Sequence, residues 1–365
     1  MTDVTPTTWS EFQTASWLRA RREGIPLSGT FELTPLCNFR CRMCYVRVDA
    51  LPEGTRLRTA EEWLDLARQA AERGMYSVTL TGGEPLTHPE FAKIYRGLNE
   101  MGLLISVLSN GSLINDDVVA LFQGLPPTNL RITLYGASDE TYERLCGVRD
   151  GFDRVIASLR TLANARVPFS LAFTRTRLNE KDEDAVRRIA QTLGVPLGVT
   201  SDLVPAVRGA DSDAGKLRIP RAERLDGIDL DGACDTPVQA VPSPAALPPE
   251  VLEGPFSNCS AYRTAFFVSW DGLMEGCSLM SSMRLKTFEV GFDPAWQALL
   301  ARLGAIRTPE RCLFCDLAPY CTACPGRREA ETGDPEGIPE TRCREARALR
   351  ERLSELEAAT NVEVN

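Results

Sequence analysis

The chain has one histidine, His88, among its 365 residues. That excludes any metal site built on two imidazoles, and any His-dependent triad would have to run through that single residue. No stretch approaches the ~18 apolar residues of a membrane span, and residues 1–30 lack a signal-peptide core. Basic residues are in deficit: Lys+Arg is 41 against 50 Asp+Glu, a formal net charge of −9. Nucleic acids and anionic membranes are bound by basic surfaces, so neither is expected as a partner. Internal repeats and low-complexity tracts are also missing. The expectation is a cytoplasmic globular protein of about two domains at ~150 residues each.

Cysteine, by contrast, is abundant, at 12 residues. Cytosolic thiols stay reduced, so metal or redox chemistry is expected here and a disulfide framework is not. With one imidazole available, mixed Cys/His zinc fingers are set aside. All-cysteine sites are left, either four-thiolate zinc or iron–sulfur clusters.

Residues 28–205 alternate between strand and helix patterns. Strands are expected at Phe31–Thr34, Ser77–Leu80, Leu103–Leu108, Leu130–Leu134 and Phe169–Phe173. Helices are expected at Thr59–Ala71, Phe91–Met101, Asp116–Phe122, Phe152–Ala165 and Asp182–Leu193. Thr59 with Glu62 forms a capping box, and Gly74 ends that helix. About six βα units imply a parallel sheet and an α/β fold, a partial (β/α)6 barrel. Residues 208–258 turn Gly-, Asp- and Pro-rich, as a linker or lid does. From Cys259 the βα rhythm stops and seven cysteines follow, before a charged helix at roughly Arg344–Ala359.

The first cysteines, Cys37-Asn-Phe-Arg-Cys41-Arg-Met-Cys44, follow the first strand. In a βα barrel that is the rim where active sites are built. Three thiolates on one loop can hold three irons of a cubane and leave the fourth open for a ligand. A structural zinc completed by a distant fourth cysteine is the alternative. Downstream, Gly82-Gly83-Glu84 follows the second strand. Glycines let the backbone approach a ligand, and a carboxylate accepts bonds from an ammonium group. Ser109-Asn110-Gly111 ends the third strand, as an Asn-Gly turn or a ligand contact. His88 reads as a helix-entry residue before Pro89.

The trio, its position and Thr81-Gly82-Gly83-Glu84-Pro85 together resemble the radical S-adenosylmethionine (radical SAM) enzymes over residues 31–200. The resemblance implies a [4Fe–4S] cluster on Cys37, Cys41 and Cys44 whose open iron is chelated by SAM. Reductive cleavage of SAM then gives methionine and a 5′-deoxyadenosyl radical, which abstracts a substrate hydrogen. It also implies SAM contacts from Gly82, Gly83, Glu84, Ser109, Asn110 and Asn179. The residue before the third cysteine is usually aromatic in that family, but here it is Met43, with Tyr45 following. The resemblance implies that this position contacts adenine largely through its backbone, so Met43 and Tyr45 are expected to keep SAM binding with weakened adenine packing.

The remaining pattern is Cys259-x12-Gly272-x4-Cys277, Cys312-x2-Cys315-x5-Cys321-x2-Cys324, then Cys343. It resembles the SPASM extension of peptide-modifying radical SAM enzymes, which carries two auxiliary [4Fe–4S] clusters. That family's central run normally ends C-x3-C. The resemblance implies an outer cluster on Cys312, Cys315, Cys321 and Cys343, and an inner one on Cys259, Cys277 and Cys324. Cys234 is left as a fourth inner ligand or a hydrogen-atom donor, and Cys146 as a buried core thiol. Two zinc ribbons are the alternative. The implied domains are an N-terminal segment (1–30), the barrel (31–207), a Pro-rich linker or lid (208–258), the SPASM domain (259–345), and a C-terminal helix and tail (346–365).

Auxiliary clusters suit a substrate radical that must lose a second electron. The resemblance therefore implies oxidation of a ribosomal precursor peptide, as a crosslink or a dehydrogenation, with a flavodoxin or ferredoxin as electron donor. Leader recognition would fall to a separate binding protein or to the substrate itself. The alternatives are a redox-neutral peptide epimerase using Cys234, a small alcohol or sugar dehydrogenase, and a non-catalytic zinc scaffold. Asp202, Asp235 and Asp271 are candidate bases.

Overall fold

The computed structural model describes residues 8–207, 209–223, 254–256, 259 and 262–362. Its strands are β1 Ser28–Glu32, β2 Ser77–Thr81, β3 Leu104–Ser109, β4 Asn129–Thr133, β5 Ser170–Thr174, β6 Leu197–Thr200, β7 Ala265–Val268, β8 Leu273–Glu275 and β9 Leu285–Lys286. They form one sheet in the order β6-β5-β4-β3-β2-β1-β7-β8-β9. The first seven helices are α1 Trp9–Glu23, α2 Ala60–Glu72, α3 Phe91–Glu100, α4 Asp116–Gly124, α5 Asp139–Cys146, α6 Gly151–Asn164 and α7 Glu183–Leu193. After β6 come α8 Ala214–Leu217, α9 Thr287–Val290, α10 Phe292–Ala305, α11 Glu310–Leu313, α12 Pro325–Thr332 and α13 Glu340–Val362. β1 to β6 are parallel sequential neighbours joined by helical crossovers, which is the expected partial (β/α)6 barrel. No helix among the described residues is long and apolar enough to cross a membrane.

The two faces of this sheet differ in chemistry because successive side chains point to opposite sides. Phe31, Leu80, Val107 and Leu130 stand in register across β1 to β4, all buried. This row faces the helices: Phe31 stacks on Trp63 of α2 with ring centroids 5.0 Å apart. α2 begins at the expected capping box, Thr59 with Glu62, and buries Trp63, Leu66, Ala67 and Ala70. The opposite face carries a polar row in register: Thr30, Thr79, Ser106 and Asn129. A closed barrel fills its interior with branched apolar side chains. A hydroxyl-lined interior instead suits a polar ligand.

Two elements go beyond the sequence-based expectation. β7 lies parallel to β1, and β8 and β9 extend it antiparallel, so the cysteine-rich half shares the barrel's sheet. Its four residues are all buried, which removes the alternation that would mark a strand. Residues 1–30, expected only as a segment, contain α1, capped reciprocally by Thr8 and Glu11. α1 and α10 close over the β7 side. Phe266 packs on Phe292 at 5.0 Å, and Trp296 Nε1 donates to Gly24 O at 2.7 Å. Arg21 donates to the carbonyl of Cys259 at 2.9 Å.

In the Pro-rich region, residues 209–223 pack on the cysteine loop, with Arg42 Nη2 2.8 Å from Asp213 Oδ2. Residues 208, 224–253 and 257–258 lie outside the described residues, and with them Cys234 and Asp235.

Candidate active site

The loop that carries Cys37, Cys41 and Cys44 leaves β1 at the barrel rim and is anchored from within. Phe39, between the first two cysteines, is fully buried edge-on to Tyr142 (5.9 Å) and Tyr135 (6.4 Å). The amides of Arg40 and Arg42 donate to the carbonyls of Cys146 and Leu145 at the end of α5, at 2.8 and 2.9 Å. Cys44 N donates to Cys41 O at 3.1 Å. The thiols are thus placed by backbone contacts rather than by side-chain rotamers alone.

Donors converge on two of these sulfurs. Phe39 N–H points to Cys37 Sγ at 3.3 Å, with Asn110 Nδ2 at 3.7 Å, and Arg47 N–H points to Cys44 Sγ at 3.3 Å. N–H donors favour thiolate over thiol, as ligation by iron requires. Against them, burial pushes the Cys37 thiol up to about 12 and raises Cys44. Cys41 lies against Cys146, and that contact together with complete burial raises it well above the usual thiol range. Metal binding here would have to displace protons. Among the described residues, no three Cys, His, Asp or Glu side chains converge tightly enough to hold a single metal ion. Three thiols on one anchored loop, two of them with donors to sulfur, fit a cluster with an open corner.

Gly82 and Gly83 answer to the chain itself. A Cβ on Gly82 would stand 2.5 Å from Thr34 O, and one on Gly83 2.4 Å from Leu36 O. Gly83 N and Glu84 N donate to those same carbonyls at 2.7 and 2.9 Å. The Cβ side of both glycines is therefore taken by the base of the cysteine loop, and the glycines hold β2 against it.

Glu84 is fully buried and receives Ser109 Oγ (2.9 Å), Asn110 N (2.7 Å) and Leu86 N (3.2 Å). Oε2 accepts only the Asn110 amide, so it has room for a second donor such as an ammonium group. Burial lifts its carboxyl from 4.5 to about 7. A carboxyl raised on folding binds its proton more tightly in the native state, so native stability falls as pH rises from about 4.5 to 7. Urea titrations of the metal-free protein at both ends of that window should show a loss of up to roughly 3 kcal/mol that Glu84→Gln removes. Identical pH slopes for the two proteins would contradict this assignment.

The other expected contacts are dispersed. Ser109 is committed to Glu84 and to Gly111 N. Asn110 bridges Cys37 to Asn38 and Ser112. Asn179 accepts from Thr176 N and Oγ1 and donates to Tyr135 O and Thr174 O. Its four bonding positions are filled, so it braces the turn after β5 and offers no polar atom to a ligand. Met43 is buried, and Tyr45 Oη lies 3.4 Å from Ser278 Oγ, beside Cys277. His88 is a brace, with Nδ1 accepting from Glu90 N (3.2 Å) and Nε2 3.0 Å from Arg58 O.

Asp202, a candidate base, is held by Arg327 and Arg342 at 2.5 and 2.7 Å. Burial alone would raise its carboxyl, but the two guanidiniums keep it below the usual range, too weakly basic for the role. Asp271 pairs with Arg284 at 2.6 Å and accepts from Ser269 Oγ.

Two site residues escaped sequence reasoning. Tyr135, just past β4, buries its hydroxyl within electrostatic reach of Cys37, Cys41, Cys44 and Cys146. Its place after a barrel strand was the available signal. Cys146 is buried as expected, but against Cys41.

In the second half, Cys312, Cys321 and Cys343 are electrostatic neighbours, with burial raising the Cys343 thiol first. Cys324 caps α12, and Cys277 Sγ would be 2.8 Å from a Cβ on Gly326 in its first turn. Cys259 lies beside Arg21, and Cys315 precedes the turn at Ala318–Tyr320.

Comparison with known proteins agrees with this architecture. Residues 31–189 match the family model described as the Radical SAM superfamily. The AdoMet-dependent heme synthase of Methanosarcina barkeri is 26% identical over 83% of this chain and 92% of its own length. A probable GTP 3′,8-cyclase of Saccharolobus islandicus is 35% identical, but over 48% of this chain and 56% of its own length. Among solved structures, Streptococcus suis SuiB bound to S-adenosylmethionine superposes with a TM-score of 0.67 at 18% identity, covering 93% of this chain and 83% of SuiB. The anSMEcpe structure with bound AdoMet gives 0.62 at 14%, covering 92% and 100%.

Proposed function

We propose that this chain, whose residues 31–189 match the Radical SAM superfamily model, is a radical SAM enzyme that oxidises a ribosomal precursor peptide. Bound at Cys37, Cys41 and Cys44, a [4Fe–4S] cluster would supply the electron that cleaves SAM to the 5′-deoxyadenosyl radical. The chain's own residues do the positioning: Glu84 Oε2 would take the SAM ammonium, Asn110 steadies Cys37, and the hydroxyl row lies on the sheet face opposite the helices.

The observation that carries the oxidative reading is the 3.4 Å approach of Tyr45 to Ser278. It brings the neighbour of Cys44 to the neighbour of Cys277; auxiliary clusters, if held by Cys259, Cys277 and Cys324 and by Cys312, Cys315, Cys321 and Cys343, would supply an acceptor for a second electron removed from substrate. SuiB has been solved with its precursor peptide SuiA, and anSMEcpe with peptides, which supports a peptide substrate. A flavodoxin or ferredoxin would supply electrons, and a separate protein would hold the leader if recognition needs one.

Anaerobic reconstitution tests this first. Roughly 12 irons per chain, four for each of three cubanes, are expected, and roughly four with bound zinc would remove the relay. With peptide present, a two-hydrogen mass loss marks oxidation, whereas solvent deuterium at an α carbon marks the epimerase. A second reading, oxidation of a small non-peptide molecule, is favoured by the near-full-length match to a relative named a heme synthase. SAM cleavage stimulated by small molecules and never by peptides would select it.

A further inference from the structure

Arg328, in α12, has only 8% of its surface exposed. Its guanidinium Nη1 donates to Cys312 Sγ at 3.6 Å and to Gly337 O at 2.9 Å. Among the described residues it meets no carboxylate, unlike its neighbours. Arg327 pairs with Asp202, and Arg342 with Asp202, Glu331 and Glu345. The adjacent Glu329 is turned to Ser282, accepting from its amide and hydroxyl at 2.7 Å each. A buried cation without a counter-charge is costly, and native proteins pair such charges. The group Arg328 faces is the sulfur of Cys312, which, like Cys321, lies within electrostatic reach of Cys343. A neutral thiol would leave the charge uncompensated. Four thiolates around an iron–sulfur cluster carry net negative charge and would supply the missing partner.

We infer that Arg328 is the positioning residue that sets the reduction potential of the outer auxiliary cluster, which makes that cluster the electron sink of the relay. The inference rests on the auxiliary-cluster reading above. Reduction adds one electron, and hence one negative charge, to the cluster. A fixed guanidinium with an N–H directed at a ligand sulfur stabilises that reduced form more than the oxidised one. The electron comes from the oxidised substrate and leaves to an external acceptor of the flavodoxin or ferredoxin class, so Arg328 itself undergoes no chemistry.

The test is a mediated redox titration of the reconstituted full-length protein, followed by electron paramagnetic resonance, for wild type, Arg328→Met and Arg328→Lys. Arg328→Met should lower the outer cluster's potential by at least a tenfold change in its one-electron equilibrium, ~59 mV. The cluster on Cys37, Cys41 and Cys44 should keep its potential, and Arg328→Lys should restore most of the outer one by keeping the charge. If Arg328→Met cannot load the outer cluster at all, Arg328→Lys holding it near the wild-type potential supports the inference in its place. A fully loaded Arg328→Met with wild-type potentials overturns the inference. Wild-type protein with roughly four irons and zinc overturns the auxiliary-cluster reading instead, and iron analysis separates the two failures.

Discussion

Cys44→Ala should lower the yield of 5′-deoxyadenosine by more than about 10³-fold, the scale of losing an essential member of a catalytic unit. It should also remove about four irons per chain while leaving the auxiliary irons in place. The loop should survive the change, because the thiol supplies only one of its bonds, accepting from Arg47 N at 3.3 Å. Phe39 anchors it in the core, Arg40 and Arg42 tie it to the end of α5, and Cys44 uses its amide, not its sulfur, to bond Cys41 O. The loss is therefore expected in metal content and SAM cleavage, with unfolding of the metal-free protein little changed. Cys146→Ala is the matching control. It lies against Cys41 but on α5, outside the loop, and should keep its irons and its SAM cleavage. Iron analysis and product chromatography check both variants. Loss of four irons in Cys146→Ala would make Cys146 a ligand, and full SAM cleavage by Cys44→Ala would end the open-cluster assignment.

Local chemistry explains how far the sequence could be read. The trio, the Thr59–Glu62 capping box and the parallel units announce themselves within a dozen residues each, and all lie where the spacing puts them. What the sequence left hidden is what faces what. Gly82-Gly83 reads as backbone open to a ligand, and the sequence does not show that the side where a Cβ would stand is closed by Thr34 and Leu36. Asn179 sits at the rim, but whether its amide turns to a ligand or to its own turn is a question of rotamer. β7 has no alternation and finds its partner more than 200 residues upstream, so no window of sequence contains the pair. Arg328 and Arg342 are two arginines in a charged stretch, where the simplest reading is a solvated surface. Burial separates them from that surface, and their partners separate them from each other.

Arg342→Met should destabilise the protein by about 3–5 kcal/mol, the usual cost of breaking a buried ion pair from one side. Arg342 is 2% exposed and reaches Asp202 and Glu331 at 2.7 Å and Glu345 at 3.5 Å. Arg218 contacts Glu331 and Glu345, and Arg327 contacts Asp202. Three guanidiniums thus pair with three carboxylates, with half-buried Arg221 in electrostatic reach, and removing Arg342 takes a close positive partner from all three carboxylates at once. Burial opposes the Arg342 charge, but the three carboxylates more than offset this and raise its pKa. The network ties the exit of β6, at Asp202, to α12 and α13, so its loss should loosen the helix that carries Cys343 from the barrel. Restoring charge balance, as in Arg342→Met with Glu331→Gln, should recover part of the loss, because the cost lies in the uncompensated charge more than in the missing contacts. The network's stabilisation should hold at neutral pH and fade as pH falls through the lowered pKa of Asp202, since its native carboxyl releases its proton more readily than the unfolded one. Urea denaturation of the single and double variants at pH 7 measures both terms. A single variant as stable as wild type would mean that water reaches this cluster and that β7, with the packing of α1 and α10, holds the two halves together without it.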